Sequence, residues 1–119
     1  MKKILFMLII VLFICGCNNN VEKNIINMEE IRNIMSNSEY LIIDVRSKEE
    51  YDEIHIKDAI NIPYNEINKS VDIDKNKILF VYCKSGNRSK IAYETLSKLG
   101  YTVYDLGSID NIELEKTIQ

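Results

Sequence analysis

The sequence predicts a single α/β domain with a parallel central sheet of about five strands flanked by helices. Short apolar runs typical of buried strands alternate with stretches of helical spacing, and this alternation favours a parallel sheet. One such strand, 78–82, is followed directly by a polar loop and a helix, which is where parallel sheets bind their ligands. Of the 119 residues, the 103 that follow a predicted signal at 1–16 suffice for one small domain but not for two.

The individual elements follow from local residue types. A short edge strand at 25–26 precedes a helix that Asn27 and Glu30 open as a capping box and that ends near Met35. The later elements are assigned in the same way: a strand at 40–44, a capping box of Ser47 and Glu50, a strand at 59–62 stopped by Pro63, helical residues at 64–68, a polar loop at 69–76, the strand at 78–82, a helix at 89–99 closed by Gly100, a strand at 102–106, and a terminal helix with Ser108 as its N-cap.

The N-terminal residues indicate an export signal. Lys2 and Lys3 precede an apolar run at 4–14, and a membrane-spanning helix would need about 20 apolar residues. Cleavage is therefore favoured over an uncleaved anchor. With either outcome the domain is expected to be exported and held at a bacterial membrane, on its periplasmic or extracellular face.

The end of the apolar run is similar to a bacterial lipobox. Ile14 and Gly16 occupy the minus three and minus one positions before Cys17, with Cys15 between them where Ala or Ser is commoner. The sequence thus predicts a lipoprotein signal peptide at 1–16, a lipid-anchored tether at 17–24 with Cys17 as the lipidated residue, and the α/β domain at 25–119.

Cys83 begins the most informative loop of the chain. Backbone N–H groups that curl in front of a helix N-terminus form a concavity suited to an anion or a thiolate. Gly86 permits the inward turn, and Lys84 and Arg88 add positive charge nearby. A free cysteine has a pKa of about 8.5, which such surroundings lower to roughly 3.5–7.5. Cys83 is therefore predicted to be a nucleophilic thiolate, the alternative being a buried, inert cysteine.

The composition indicates that only charges close to Cys83 can attract an anion. If Cys15 is removed with the signal and Cys17 carries lipid, Cys83 is the one free thiol of the mature chain, and no internal disulfide forms. Removal of Lys2 and Lys3 would take the formal charge from −3 to −5. The overall field then repels anions, and nothing indicates nucleic-acid binding.

Three ordered motifs resemble the rhodanese family of sulfurtransferases. The family's active-site loop has the pattern Cys-x-x-Gly-x-Arg-Ser, which residues 83–89 match. The chain departs from the family at Ile54, where Gly is usual, and at Ser108 and Asn111, where Gly and Trp are usual. Upstream and downstream matches are Ile43-Asp44-Val45-Arg46, Glu50-Tyr51, His55-Ile56, Ala59, Asn61-Ile62-Pro63, Leu99-Gly100-Tyr101, Val103-Tyr104 and Asp105-Leu106-Gly107.

The resemblance implies a rhodanese-like fold and a double displacement at Cys83. The thiolate would attack thiosulfate or a similar small sulfur-containing anion, and the resulting persulfide would pass its sulfur to cyanide or a thiol. No cofactor or metal is required, and a monomer is expected. The loop residues expected to bind the donor are Lys84, Ser85, Gly86, Asn87, Arg88 and Ser89.

Several side chains near this loop have two interpretations. Arg88 attracts the donor, forms a structural fork bonded to loop carbonyls, or does both. Ser89 either donates to sulfur or donor oxygens or is simply the helix N-cap. His55 is expected to shape the domain rather than act as a base. Asp44 and Arg46 are expected to form a charge pair that orders loops. A single His and no Cys cluster make a metal site unexpected.

Two other function classes remain open. A non-catalytic sulfur carrier or redox sensor would need the same activated thiol as a sulfurtransferase. A cysteine-based phosphatase or arsenate reductase also uses a loop that ends in Arg, but it has five residues between Cys and Arg, whereas Cys83 and Arg88 have four. The shorter loop favours a sulfur atom over a tetrahedral oxyanion.

Overall fold

The computed structural model describes residues 27–119 and contains three helices and six strands in that range. It also contains two 3-10 turns, one at Tyr64–Glu66 after the third strand and one at Ile109–Asn111 after the fifth strand. In chain order the elements are α1 (Met28–Asn37), β1 (Tyr40–Asp44), α2 (Lys48–Glu53), β2 (His55–Ile56), β3 (Ile60–Asn61), β4 (Ile78–Cys83), α3 (Asn87–Lys98), β5 (Thr102–Ser108) and β6 (Lys116–Thr117).

The main sheet is parallel and has the strand order β3-β1-β4-β5. β1 and β4 pair in register from Tyr40 opposite Ile78 to Asp44 opposite Tyr82. The pairing of β4 with β5 shifts its register after Val81 and continues with Cys83 opposite Ser108. The α/β prediction is therefore confirmed with four parallel strands in residues 27–119; the predicted edge strand at 25–26 lies outside the described residues.

β4 is central because both of its faces are buried. Its six residues are apolar, and five of them have no exposed surface, a pattern typical of parallel strands covered by helices on both sides. Each fully buried aliphatic or aromatic side chain contributes about 1.5–3 kcal/mol. One face packs with Ala92 and Leu96 of α3, and the other with Ile31 of α1 and the C-terminal Ile109 and Ile112.

Two of the three helices begin with the N-cap residue that the sequence predicts. The Asn27 side chain accepts from the Glu30 N–H at 2.9 Å and opens α1. Ser47 and Glu50 form the reciprocal capping box expected for α2. The third helix, α3, begins at Asn87 rather than Ser89 and has Gly86 as its N-cap.

The predicted terminal helix is wrong. Ser108 caps only the 3-10 turn, where its hydroxyl oxygen accepts from the Asp110 N–H. The chain then extends as β6, which pairs antiparallel with β2. Ile109 and Ile112 are both buried, and their spacing of three fits one helical turn, which is why the sequence pattern was misleading.

Between residues 27 and 119, none of the helices combines the length and apolar character that crossing a bilayer requires. The predicted signal peptide, the tether and Cys17 lie outside the described residues.

Candidate functional site

Cys83 is the last residue of β4, at the carboxyl edge of the parallel sheet. Its side chain has no exposed surface, and its Sγ accepts hydrogen bonds from the chain that follows. The Gly86 N–H donates to Sγ at 2.9 Å and the Ser89 N–H at 3.3 Å. The residues 83–89 thus form a closed turn around one sulfur atom.

The backbone conformation of Gly86 makes this turn possible. Its φ of +101° lies in the left-handed region, which glycine enters without the steric penalty of other residues. A Cβ at this position would meet no atom within 4 Å. The requirement for glycine is therefore conformational rather than one of space.

The Cys83 sulfur also acts as the N-terminal cap of α3. Gly86 offers no side-chain acceptor, so the first N–H groups of α3 lack the usual partner. Ser89 is the third residue of α3, and its N–H donates to Cys83 Sγ. The interpretation of Ser89 as the N-cap is therefore wrong, and Cys83 serves that purpose.

These hydrogen bonds govern the acidity of the thiol. Burial raises the pKa of Cys83 and is the largest single influence, but the Ser89 hydroxyl and the N–H groups of Ser89, Gly86 and Ser85 together lower that pKa below its ordinary value. The Ser89 hydroxyl also lies 3.2 Å from the Gly86 carbonyl. Since a hydroxyl has one proton, it serves the thiolate or that carbonyl, but not both at once.

Arg88 does not bond to loop carbonyls, so that interpretation is wrong. Its Nη1 and Nη2 donate to the two carboxylate oxygens of Glu50, at 2.8 and 3.1 Å. This ion pair lowers the pKa of Glu50 to about 2 and raises the pKa of Arg88. The sequence identified Glu50 as a capping residue and as part of a family motif, but it did not reveal the contact of Glu50 with the loop.

The remaining loop residues are more open. Lys84, Ser85 and Asn87 are exposed, and the Lys84 carbonyl accepts from the Ser108 hydroxyl at 2.6 Å. Cys83 lies opposite Ser108 in the β4–β5 pairing. Ser108 therefore supports the loop from the neighbouring strand, a role that the sequence did not reveal.

A buried polar network lies at the carboxyl end of β1, next to β4. Arg46 donates to both oxygens of Asp44, at 2.6–3.1 Å, and to the Ile54 carbonyl at 2.6 Å. The Tyr82 hydroxyl donates to Asp44 Oδ2 at 2.8 Å and accepts from the Ile56 N–H at 3.0 Å. These bonds connect the end of β1 to β2. Both carboxylate oxygens of Asp44 already accept hydrogen bonds from Arg46 or Tyr82, so neither is available for catalysis.

His55 contacts α2 rather than the loop formed by residues 83–89. It is buried, its ring stacks on Tyr51 with centroids 3.8 Å apart, and its Nδ1 lies 2.8 Å from the Tyr51 carbonyl. These contacts hold the segment between α2 and β2. In residues 27–119, no group of three or more His, Cys, Asp and Glu side chains is placed to hold a metal ion.

The fold and the loop define a class: a small parallel α/β domain with a thiol held by N–H groups at a helix start. The family model described as "Rhodanese-like domain" matches residues 27–114. The chain belongs to this family and contains a single domain of it.

Two curated relatives bear on activity. Thiosulfate sulfurtransferase PspE of Escherichia coli K12 is 41% identical over 78 residues, which are 62% of this chain and 75% of that protein. The putative sulfur carrier protein YrkF of Bacillus subtilis 168 is 35% identical over 78 residues, or 64% of this chain and 42% of that protein. Longer relatives named as adenylyltransferases match over only 16–24% of their own length.

A solved structure agrees with the fold. A protein described as a rhodanese with anions from E. coli superposes with a TM-score of 0.61 and is 38% identical. The match covers 67% of this chain and 99% of that one. The chain is thus homologous to sulfurtransferases across most of the described domain.

Proposed function

We propose that the protein is a thiosulfate sulfurtransferase that acts through a persulfide on Cys83. The thiolate attacks the outer sulfur of thiosulfate, the S–S bond of the donor breaks, and sulfite leaves with the bonding electron pair. Cyanide or a thiol then attacks the terminal sulfur and restores the thiolate. The observation that supports this most is the pair of N–H groups 2.9 and 3.3 Å from Sγ.

The loop provides binding as well as activation. The N–H groups of 84–89 would stabilise the thiolate and the persulfide, because fixed donors need no reorganisation during reaction. Lys84 is exposed and would attract the anionic donor, while the charge of Arg88 is shared with Glu50. Ser85, Gly86, Asn87 and Ser89 form the rest of the proposed donor site.

A thiosulfate:cyanide assay tests the proposal. The purified full-length chain and its Cys83→Ser variant are incubated with both substrates, and thiocyanate and sulfite are measured over many turnovers. The unmodified chain should form both products and the variant neither. Equal product from the two proteins would contradict a role for Cys83.

A sulfur carrier is the second candidate, and its support is the similarity to YrkF. A carrier would accept one sulfur on Cys83 and keep it until a partner removes it. Single-turnover mass spectra distinguish the two functions. A gain of one sulfur atom that survives excess cyanide indicates a carrier, whereas rapid loss with thiocyanate formation indicates an enzyme.

We also propose that the domain is an exported monomer anchored through a lipid on Cys17. The support is the lipobox-like end of the apolar run. A mass spectrum of the mature N-terminus should show a lipid-modified Cys17, and an intact, unmodified Met1 would contradict processing. Sedimentation of the purified chain would test the monomer.

A further inference from the structure

Glu50 takes part both in the capping box of α2 and in an ion pair with the loop 83–89, called the thiol loop below. Its Oε1 accepts from the Ser47 N–H and hydroxyl at 3.1 Å each, while the Glu50 N–H donates to Ser47 Oγ at 3.2 Å. Both carboxylate oxygens also accept from Arg88. A carboxylate bound on two sides cannot change rotamer without the loss of several charge-assisted hydrogen bonds.

Apart from the Cys83 sulfur that caps it, the start of α3 has no negatively charged partner within its own first turn. Gly86 provides no side-chain cap, and the first turn of α3 contains no acidic residue. A cation in that turn, here Arg88, is disfavoured by the helix dipole. Glu50 supplies from α2 the negative charge that α3 lacks, in a pair whose side chains are only 29% and 31% exposed.

Arg88 lies between the two N–H groups that face the sulfur. Ser89 follows it directly and Gly86 is two residues before it, so a shift of the Arg88 backbone would move both donors away from Cys83 Sγ. We infer that Glu50 is a positioning residue for the sulfur transfer proposed above. By holding Arg88, it keeps these N–H groups directed at the sulfur.

The test compares Glu50→Gln with Asp52→Asn in the purified full-length chain. E50Q keeps the size of the side chain and an acceptor for Ser47 but loses the charge that holds Arg88. D52N removes a carboxylate from the same helix, where it forms an exposed pair with Lys48. The readouts are the rate at which iodoacetamide alkylates Cys83 as a function of pH, and the kcat and KM of thiosulfate:cyanide transfer. The alkylation is followed by mass spectrometry of the Cys83 peptide, because the full-length sequence also contains Cys15 and Cys17.

The direction of the shift is diagnostic. We expect E50Q to raise the pH midpoint of alkylation by about one unit, as the loss of a hydrogen bond to the thiolate would, and to lower kcat with little change in KM. Removal of a negative charge would, by Coulomb's law alone, lower the midpoint. An E50Q midpoint at or below that of the unmodified chain would therefore overturn the inference, as would an equal shift in D52N.

A double-mutant cycle provides an independent check. In an Arg88→Met background, E50Q should cause no further shift, because both changes break the same contact. Additive shifts would contradict a role through Arg88. If E50Q folds poorly, Glu50→Asp keeps the charge but shortens the reach to Arg88, and it should raise the midpoint by a smaller amount; no rise would count against the inference.

The alkylation measurement does not depend on sulfur transfer. A chain that forms no thiocyanate but shows the expected E50Q shift would refute the proposed activity and leave the positioning role supported. A chain that transfers sulfur but shows no shift would do the reverse.

Discussion

Tyr82 links the buried ion pair of Asp44 and Arg46 to β2, and its hydroxyl can be removed with little change in shape. In Tyr82→Phe, Asp44 loses a donor at 2.8 Å and the buried Ile56 N–H loses its acceptor at 3.0 Å. A hydrogen bond to a charged group contributes about 1.5–3 kcal/mol, and an unsatisfied buried donor costs about 1–3 kcal/mol. We therefore expect the free energy of unfolding to fall by about 3 kcal/mol.

Urea denaturation measures this loss directly. For a domain of this size, a decrease of about 3 kcal/mol lowers the urea midpoint by roughly 2 M and Tm by about 15 °C. Tyr93→Phe is the control, because that side chain is 39% exposed on α3 and its change should stay within about 0.5 kcal/mol. A Tyr82→Phe effect as small as that of the control would refute the role assigned to this hydroxyl.

Three further predictions concern the Glu50 carboxylate and two backbone positions. The pKa of Glu50 falls from 4.5 to about 2 on folding, so its stabilisation is present above pH 4.5 and is lost as pH falls towards 2. Allowing for solvent screening, unfolding titrations should show about 1–2 kcal/mol less stability for E50Q at pH 7, with the difference vanishing near pH 2. In Gly86→Ala the added methyl group would contact no atom within 4 Å, but the alanine would have to adopt φ of +101°. We therefore expect the free energy of unfolding to fall by about 1 kcal/mol and the alkylation of Cys83 at neutral pH to slow. Unchanged alkylation would contradict the importance of this turn. Asp58 has φ of +70°, so Asp58→Gly should raise Tm by roughly 3 °C, and a lower Tm would count against strain at this turn.

The sequence predicted the fold through features that act locally. The apolar run of β4, the Ser47–Glu50 capping box and the glycine of the thiol loop each depend on residues within a few positions of one another. The order of the motifs along the chain carried the family resemblance. Local pattern and chain order were sufficient to place Cys83 at the carboxyl edge of a parallel sheet.

The missed features depend on contacts distant in sequence. Glu50 and Arg88 are 38 positions apart, and Ser108 contacts the Lys84 carbonyl across 24 positions. Neither pair has a spacing that a single sequence reveals. The terminal β6 also depends on a distant partner, because it forms by pairing with β2. Such contacts are decided by the assembled sheet rather than by local propensity.

The alkylation curve of the unmodified chain tests the central claim most directly, namely that the N–H groups of the turn stabilise a buried thiolate at Cys83 against the effect of burial. The rate with iodoacetamide is measured from pH 4 to pH 10 on the full-length chain, with Cys83→Ser as the blank. We expect a midpoint clearly below the value of about 8.5 for a free cysteine, and a higher midpoint in Ser89→Ala, which removes one hydroxyl donor. A midpoint at or above about 8.5 in the unmodified chain would contradict the account.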